Sequence, residues 1–282
     1  MTNGSSRARR FSVIRLLISC ATAAAALAAT GLPASGLADT AAAPRLNRYL
    51  LDARIVESSG LETAGNFRRV LYTHNDSGDS ARFFAVGATG RTRAVYTLAN
   101  AEFRDWEDMS AGPGGKLWFA DIGDNGRQRT SVSVYRVREP TTLVSDRVPS
   151  RRFDFRYADG QSHNAEALLV RPSTGVLYIA TKQSTGAALY RAPRHLSPYG
   201  YNMLTRVAAA PAIVTGGDFS HDGERLVLRT GQAAHVYRHI GGSARLVDLP
   251  IGGESVAFTR HDGALLVGKE GSKSPVWRVP LA

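Results

Sequence analysis

The segment EALLVRPSTGVLYIATK, from Glu166 to Lys182, contains the pattern on which the fold prediction depends. An apolar run is followed by a turn that includes Pro172 and Gly175, and a second apolar run then ends on a polar residue. Leu, Val, Ile and Tyr bounded by turn-forming residues are typical of two antiparallel strands joined by a hairpin. The segment therefore predicts a strand, a turn and a second strand with a polar group at its end.

The same strand-turn-strand pattern recurs along the chain, in Glu57–Asp76, Glu107–Asp121, Glu166–Lys182, Thr215–Thr230 and Glu254–Lys269. A third strand-like run follows each copy, and a fourth follows each copy except the last. The strand-like segment Arg48–Val56 can supply the missing fourth strand. This repetition predicts an all-β fold, a β-propeller of five four-stranded blades in which the N-terminal strand pairs with the last blade. A β-sandwich is the alternative, but it does not account for the recurrence of one pattern.

The N-terminal region has the pattern of a secretory signal. Arginines precede an apolar, alanine-rich stretch from Leu16 to Leu32, and small residues then lead to an expected cleavage after Ala38. We therefore expect a signal peptide at 1–38, a flexible segment at 39–47 and a single propeller domain at 48–282. The protein is expected to be secreted, with no transmembrane span in the mature chain. In the alternative interpretation, LISC is a lipoprotein cleavage box and Cys20 carries a lipid anchor.

The composition restricts the kinds of site that the mature domain can hold. Cys20 is the single cysteine of the chain, so a metal would have to be bound by oxygen or imidazole. The formal net charge is +11, but aromatic residues are not interleaved with the arginines in a nucleic-acid-binding pattern. A phosphate-binding loop motif is also absent from the sequence. We therefore expect no nucleic-acid partner, no nucleotide cofactor and a monomer.

Polar side chains concentrate at one end of the predicted strand pairs. In a propeller, the start of the first strand and the end of the second strand of each blade lie on the same face. The predicted metal ligands at this channel mouth are Glu57, Glu107, Glu166 and Glu254, and the predicted ligand-binding residues are His74, Asn75, Asp76, Asp105, Asp121, Asn125, Lys182, Arg229 and Lys269. Because clustered carboxylates repel one another, we expect Ca²⁺ or another divalent cation to compensate them, or the basic residues of the same set to do so.

The acids of DWED, Asp105–Asp108, have a second interpretation. Acids at a strand start can accept hydrogen bonds from backbone N–H groups of a neighbouring blade. In that case they would stabilise the ring without binding a ligand.

The motifs HNDSGDS at His74–Ser80, DWED and DIGDN at Asp121–Asn125 together resemble a family of secreted propeller proteins common in actinobacteria. The resemblance covers nearly all of the mature chain, and it implies the fold and export. More distantly, acids at inner-strand starts are similar to those of senescence-marker and gluconolactonase-type propellers, which bind a divalent metal and hydrolyse lactones or esters. That similarity implies Glu57, Glu166 and Glu254 as metal ligands and one of Asp76, Asp105 or Asp121 as a base.

Three functional hypotheses follow from the sequence. The first is a secreted propeller that binds a polar small molecule, a carbohydrate or a cell-envelope component at the channel mouth, together with a divalent cation. The second is a metal-dependent hydrolase of an ester, a lactone or a phosphoester. The third is an extracellular protein-interaction scaffold. Catalytic residues are not assigned from the sequence.

Overall fold

The computed structural model describes residues 42–281, which belong to one compact unit. The described residues contain strands and no helix, so the all-β prediction is confirmed. Within residues 42–281, no helix is long and apolar enough to cross a membrane. The predicted signal peptide at 1–38 and the alternative lipid anchor at Cys20 lie outside the described residues.

Antiparallel pairing arranges the described strands in five sheets of four, which we name A to E. Sheet A contains β2 (Ser58–Thr63), β3 (Leu71–Asn75), β4 (Arg82–Val86) and β5 (Thr92–Ala99). Sheet B contains β6 (Trp106–Gly112), β7 (Lys116–Asp121), β8 (Val132–Arg138) and β9 (Asp146–Tyr157). Sheet C contains β10 (Ala165–Val170), β11 (Leu177–Thr181), β12 (Ala188–Arg191) and β13 (Tyr201–Ala209). Sheet D contains β14 (Gly216–Phe219), β15 (Leu226–Thr230), β16 (Ala233–Tyr237) and β17 (Ala244–Asp248). Sheet E contains β18 (Val256–Phe258), β19 (Ala264–Val267), β20 (Pro275–Pro280) and, at its outer edge, β1 (Arg45–Tyr49).

The sheets close into a ring around their first strands, which are β2, β6, β10, β14 and β18. Each of these inner strands contacts the next one, and β18 contacts β2. Five apolar clusters form the core, one at each junction between consecutive sheets. The junction of sheets A and B is rich in aromatic rings; Phe83, for example, lies 4.9 Å from Phe119, centroid to centroid. This arrangement is a β-propeller, as the sequence predicts.

The N-terminal strand pairs with the last sheet as expected, but its bounds differ from the prediction. β1 begins at Arg45, inside the segment predicted to be flexible, and ends at Tyr49, seven residues before the predicted end at Val56. Beyond the strand, the side chain of Asp52 accepts a hydrogen bond from Arg54 N at 3.0 Å and forms a turn. The rest of the predicted strand connects β1 to β2.

β9 joins three sheets through backbone hydrogen bonds. Its centre pairs with β8 in antiparallel fashion, its first residues (Asp146–Pro149) pair in parallel with β5, and its last residues (Asp154–Tyr157) pair in parallel with β13. Sheets A, B and C therefore form one continuous network. Within residues 42–281, sheets D and E have no such ladder to another sheet.

Buried carboxyl groups connect neighbouring inner strands. Glu62 on β2 accepts a hydrogen bond from β6, Asp108 on β6 accepts from β10 and β14, and Asp218 on β14 accepts from β18, at N–O distances of 2.7 to 3.2 Å. Burial raises the pKa of all three carboxyl groups. The second interpretation of DWED is thus confirmed for Asp108, which stabilises the ring and does not reach the channel mouth.

Candidate functional site

The channel mouth brings together carboxyl groups from sheets A, B, C and E. Each one stands at the start of an inner strand or just after the end of a second strand, as the antiparallel repeat requires. Asp76 follows β3, Glu107 lies near the start of β6 and Glu166 near the start of β10, while Glu254 precedes β18 and Glu270 follows β19.

Two triads of carboxyl groups at this mouth have the spacing of metal ligands. One triad is Asp76, Asp105 and Glu107, and the other is Asp76, Glu254 and Glu270. Within each triad, one carboxylate oxygen per residue lies within 4.8 Å of the others. Asp76 belongs to both triads, and its Oδ1 is buried without a hydrogen-bond donor among the described residues. The donors are oxygen atoms, which hard divalent cations prefer.

Glu107 and Glu166 form a close carboxyl pair next to the first triad. Burial, together with the neighbouring Glu166, raises the pKa of Glu107, and burial also raises the pKa of Glu166. Glu166 receives compensation from Lys182, whose Nζ lies 3.1 Å from Glu166 Oε1 and 3.6 Å from Glu254 Oε1. Within the part of the chain that the structure describes, Glu107 has no such basic partner within ion-pair distance. Lys182 therefore favours the ionised form of Glu166, and Glu107 lacks that compensation.

Asp76 and Glu270 also titrate away from their usual range. Burial and the charges of Asp105, Glu254 and Glu166 raise the pKa of Asp76 to about 7. Burial and the neighbouring Glu254 raise the pKa of Glu270 to about 7. Burial is the larger cause for both groups, repulsion among close carboxylates adds to it, and a bound cation would offset that repulsion.

The loop after β7 lies beside this cluster and has its own internal order. Asp121 forms a 2.7 Å ion pair with Arg129, and Asp124 accepts hydrogen bonds from the backbone N–H groups of Gln128 and Arg129. Asn164 donates to the Oδ1 of Asn125 at 3.1 Å and to Glu166 Oε1 at 3.2 Å. Asp121 is thus engaged with Arg129, whereas Asn125 is exposed at the loop surface.

His74 does not face the mouth, contrary to the prediction. Its side chain is fully buried, packs edge-on against Trp106 and Phe119, and donates from Nδ1 to Asn75 O at 2.8 Å. Burial lowers its pKa to about 4, so the ring is neutral at physiological pH. His74 is part of the apolar junction between sheets A and B.

The side chain of Asn75 makes hydrogen bonds within the protein and is not available to a ligand. Its Oδ1 accepts from the backbone N–H groups of Val56 and Glu57 at 3.1 Å each, and its Nδ2 donates to Arg54 O and to the carboxylate of Asp79. No further hydrogen bond is left for a ligand. The prediction is wrong because the side-chain amide of Asn75 connects the end of β3 to the residues just before β2.

Arg229 was also predicted to contact a ligand, and its environment contradicts that role. The side chain is fully buried, and its guanidinium donates to the backbone carbonyls of Gly231, Ile251, Ser255 and Gly268 at 2.6 to 3.2 Å. These contacts fix sheet D to sheet E below the mouth. Backbone carbonyls of the protein itself accept four of the five N–H donors of the guanidinium.

The remaining predicted residues lie at the edge of the cluster. Glu57 is half-buried and close enough to Glu270 to raise its pKa, but it belongs to neither triad. Lys269 is exposed. Of the four predicted metal ligands, Glu107 and Glu254 are in the triads and Glu166 lies beside them.

The sequence prediction assigned Lys269, and not the adjacent Glu270, to the ligand-binding set, and it did not include Arg129. Lys269 and Glu270 both follow the second strand of the last copy, and this position in the repeat is the signal that could have identified Glu270. Glu270 belongs to a triad at the mouth, whereas Lys269 is exposed. Arg129 lies eight residues beyond Asp121 in an irregular loop, and no strand periodicity relates the two positions.

A scan against protein-family models found no match, and a search of curated proteins found no similar sequence. Among solved structures, the chain is similar to a gluconolactonase from Xanthomonas campestris, with a TM-score of 0.50 and 15% identity over 86% of this chain and 96% of that chain. It is also similar to a protein proposed to be a gluconolactonase, with a TM-score of 0.47 and 14% identity over 84% of this chain and 91% of that chain. The first similarity confirms the propeller fold, and at this identity it shows the fold alone.

Proposed function

We propose that the channel mouth binds a divalent cation and, with it, an oxygen-rich ligand. The observation that carries the proposal is the position of Asp76, which is shared by two carboxyl triads and has a buried oxygen without a donor. An uncompensated group of this kind is unfavourable unless a cation neutralises it. Lys182 and Arg229 do not neutralise Asp76. Lys182 forms ion pairs with Glu166 and Glu254, and Arg229 donates hydrogen bonds to backbone carbonyls.

The residues fit a hard cation such as Ca²⁺. Asp76, Asp105 and Glu107 offer three oxygen ligands, and the described channel mouth has no thiol and no histidine beside them. Ca²⁺ takes six to eight oxygen ligands, so three protein carboxylates leave positions for water or for hydroxyl groups of a ligand. A cation bound here would attract and orient those hydroxyl groups. Carbohydrates and other polyols supply such groups.

We also propose that the protein is secreted and binds its ligand outside the cell. The signal-like pattern at 1–38 supports secretion, and a secreted propeller would meet polar envelope components or extracellular sugars. The presence of several free coordination positions supports a ligand with adjacent hydroxyl groups.

Thermal unfolding with and without Ca²⁺ tests the cation site. We expect Ca²⁺ to raise the melting temperature and EDTA to reverse the effect, because a ligand that binds only the folded state stabilises it. Asp76→Asn should abolish the Ca²⁺ effect, while Asp146→Asn, which removes an exposed carboxylate of sheet B far from the triads, should preserve it. An equal response to Ca²⁺ in wild type and Asp76→Asn would contradict the proposal.

Hydrolysis of an ester or lactone is the second candidate function. The Glu107–Glu166 pair favours it, because burial raises the pKa of both carboxyl groups while Lys182 compensates Glu166 alone. Such a pair could supply a base to a water molecule and an acid to the leaving oxygen. In that reaction water adds to the carbonyl carbon, the C–O ester bond breaks, and an acid and an alcohol are released. The similar Xanthomonas campestris protein, a gluconolactonase, supports testing this class of substrate.

A panel of aliphatic lactones and aryl esters, assayed with Ca²⁺, Mn²⁺ and Zn²⁺, tests the second candidate. We expect Glu166→Gln to abolish any turnover while leaving Ca²⁺-dependent stabilisation in place. Asp146→Asn serves again as the matched control. Turnover that persists in Glu166→Gln would exclude the proposed role of the pair, and silence over the whole panel would leave the binding function alone.

A further inference from the structure

A basic groove lies on the outer side of the ring, at the edge of sheet A. It has a volume of about 1030 Å³. Four separate chain segments line it: the β1–β2 connection, β5 with the turn before it, the start of β9, and the loop before β20. No residue of the mouth triads lines this groove.

Cationic side chains dominate the groove. They are Arg54, Arg91, Arg93, Arg147 and Lys273, against the two carboxylates of Asp52 and Asp146. Asp52 is neutralised by Arg54, with an N–O distance of 2.7 Å. The hydrogen bond from Arg54 is the main reason why the pKa of Asp52 is low.

The other four cations have no carboxylate partner. Arg91, Arg93, Arg147 and Lys273 are exposed, and none of them forms an ion pair within residues 42–281. Asp146 Oδ1 accepts a hydrogen bond from the backbone N–H of Arg147 and not from its guanidinium. Four free cations in one groove repel each other, and an anionic ligand would relieve that repulsion.

The strand arrangement aligns these cations along the groove. On β5, Ala94, Tyr96 and Leu98 are buried, so Arg93 and Thr97 face solvent on the opposite side of the strand. The parallel pairing of β5 with β9 places Arg147 opposite Thr97. Thr97 and Ser145, which carry hydroxyl groups, line the same groove.

We propose that this groove binds the phosphate groups of an anionic polymer, such as a phosphate-linked polyol or glycan of a cell surface. Guanidinium groups bind phosphate with two parallel hydrogen bonds, and hydroxyl groups donate to the remaining oxygens. No aromatic side chain lines the groove, so it offers no platform on which nucleic-acid bases could stack. Its apolar lining consists of Leu51, Ala94 and Val95, without the tryptophan and tyrosine side chains that are enriched at the energetic centres of protein interfaces.

Binding of long-chain inorganic polyphosphate to the full chain, measured by fluorescence anisotropy in EDTA, tests the proposal. EDTA removes any contribution of a divalent cation, so the result is independent of the channel mouth. We expect Arg91→Glu combined with Arg93→Glu to weaken binding by about tenfold or more, and the affinity of wild type to fall steeply with salt. The matched control is Arg206→Glu combined with Arg245→Glu, which makes the same charge change on exposed positions of sheets C and D.

Two outcomes would overturn the proposal. Equal weakening in the groove variant and in the control would show that binding follows net charge and not the groove. Single-stranded DNA of matched charge that binds through Arg91 and Arg93 more tightly than polyphosphate would assign the groove to nucleic acid instead. Circular dichroism spectra of both double variants confirm that each one is folded.

Discussion

Arg229 and Lys182 both lie at the end of a second strand, yet the two cations have different roles. Lys182 is half-buried and its ammonium group compensates Glu166 at the mouth. Arg229 is longer, and its guanidinium reaches past the mouth to four backbone carbonyls at the junction of sheets D and E. The fork of donors suits several carbonyl groups at once, whereas a single ammonium suits a carboxylate.

Replacement of Arg229 tests its structural role. Burial lowers the pKa of Arg229 to about 10, so it remains charged at neutral pH. Arg229→Met removes all four hydrogen bonds and leaves buried carbonyl groups without donors, so we expect a loss of about 3–5 kcal/mol in the free energy of unfolding. Urea denaturation measures it, with Arg206→Met as an exposed control. If the variant unfolds at the same urea concentration as wild type, the structural role of Arg229 is contradicted.

His74 predicts a dependence of stability on pH. Its pKa falls from 6.5 in the unfolded chain to about 4 in the folded protein, so between these values the unfolded chain binds the extra proton. Stability from this residue is therefore complete above pH 6.5 and is lost as the pH falls to about 4, by about 3 kcal/mol in total. Urea denaturation of wild type and His74→Gln between pH 4 and 7 isolates this contribution. An NMR titration of the His74 ring with a midpoint near 6.5 would contradict it.

At the scale of the strands, the sequence predicts the inner pairs well and the outer edges poorly. The inner strands are apolar and bounded by glycine turns, so their ends are visible in the sequence, as in β10 and β11. β9 carries Asp146, Arg147, Arg151 and Arg152 and contains Pro149, so its first half has no strand signature. Its pairing with β5 and β13 depends on the packing of three sheets and has no local pattern.

Asp108 offers a test of how inner strands hold together. Its carboxyl group accepts from Leu168 N at 2.9 Å and from Gly217 N at 3.2 Å, on two different strands. Asp108→Ala leaves both buried N–H groups without an acceptor, and each one costs about 1–3 kcal/mol. Asp108→Asn keeps one acceptor oxygen and should lose clearly less stability. Urea denaturation of the two variants makes the comparison, and an equal loss in both would show that volume and not hydrogen bonding matters at this position.

For the whole molecule, the repeat predicts that acids distant in sequence lie together at the channel mouth. It does not predict which adjacent side chains are directed into the protein instead. Asp76, Asp105, Glu107 and Glu254 lie together at the mouth because strand ends on one face converge in a propeller. His74 and Asn75 immediately precede Asp76, yet the alternation of a strand and the local turn direct them into the protein. A one-residue difference in register changes the face of a side chain, and a single sequence does not fix that register.

Closure of the ring by β1 predicts a strong effect of truncation. β1 pairs with β20 from Arg45 to Tyr49, and Arg48 donates to the carbonyls of Val86 and Gly87 in sheet A. A chain that begins at Leu50 exposes the edge of β20 and should melt at a lower temperature and aggregate on heating. A chain that begins at Ala42 is the control and should behave as wild type does. Equal melting temperatures for the two chains would show that β1 is dispensable.

The bridging of sheets A, B and C by β9 implies that the propeller opens unevenly. Backbone amides of those three sheets share one cooperative network, whereas β14 to β17 are held to their neighbours by side chains and apolar contacts. In native-state hydrogen–deuterium exchange, sheets D and E should therefore lose their protection first, and sheets A, B and C, which β9 joins, should exchange last. Sheets A, B and C would then stay folded as one cooperative unit while the rest of the ring opens locally.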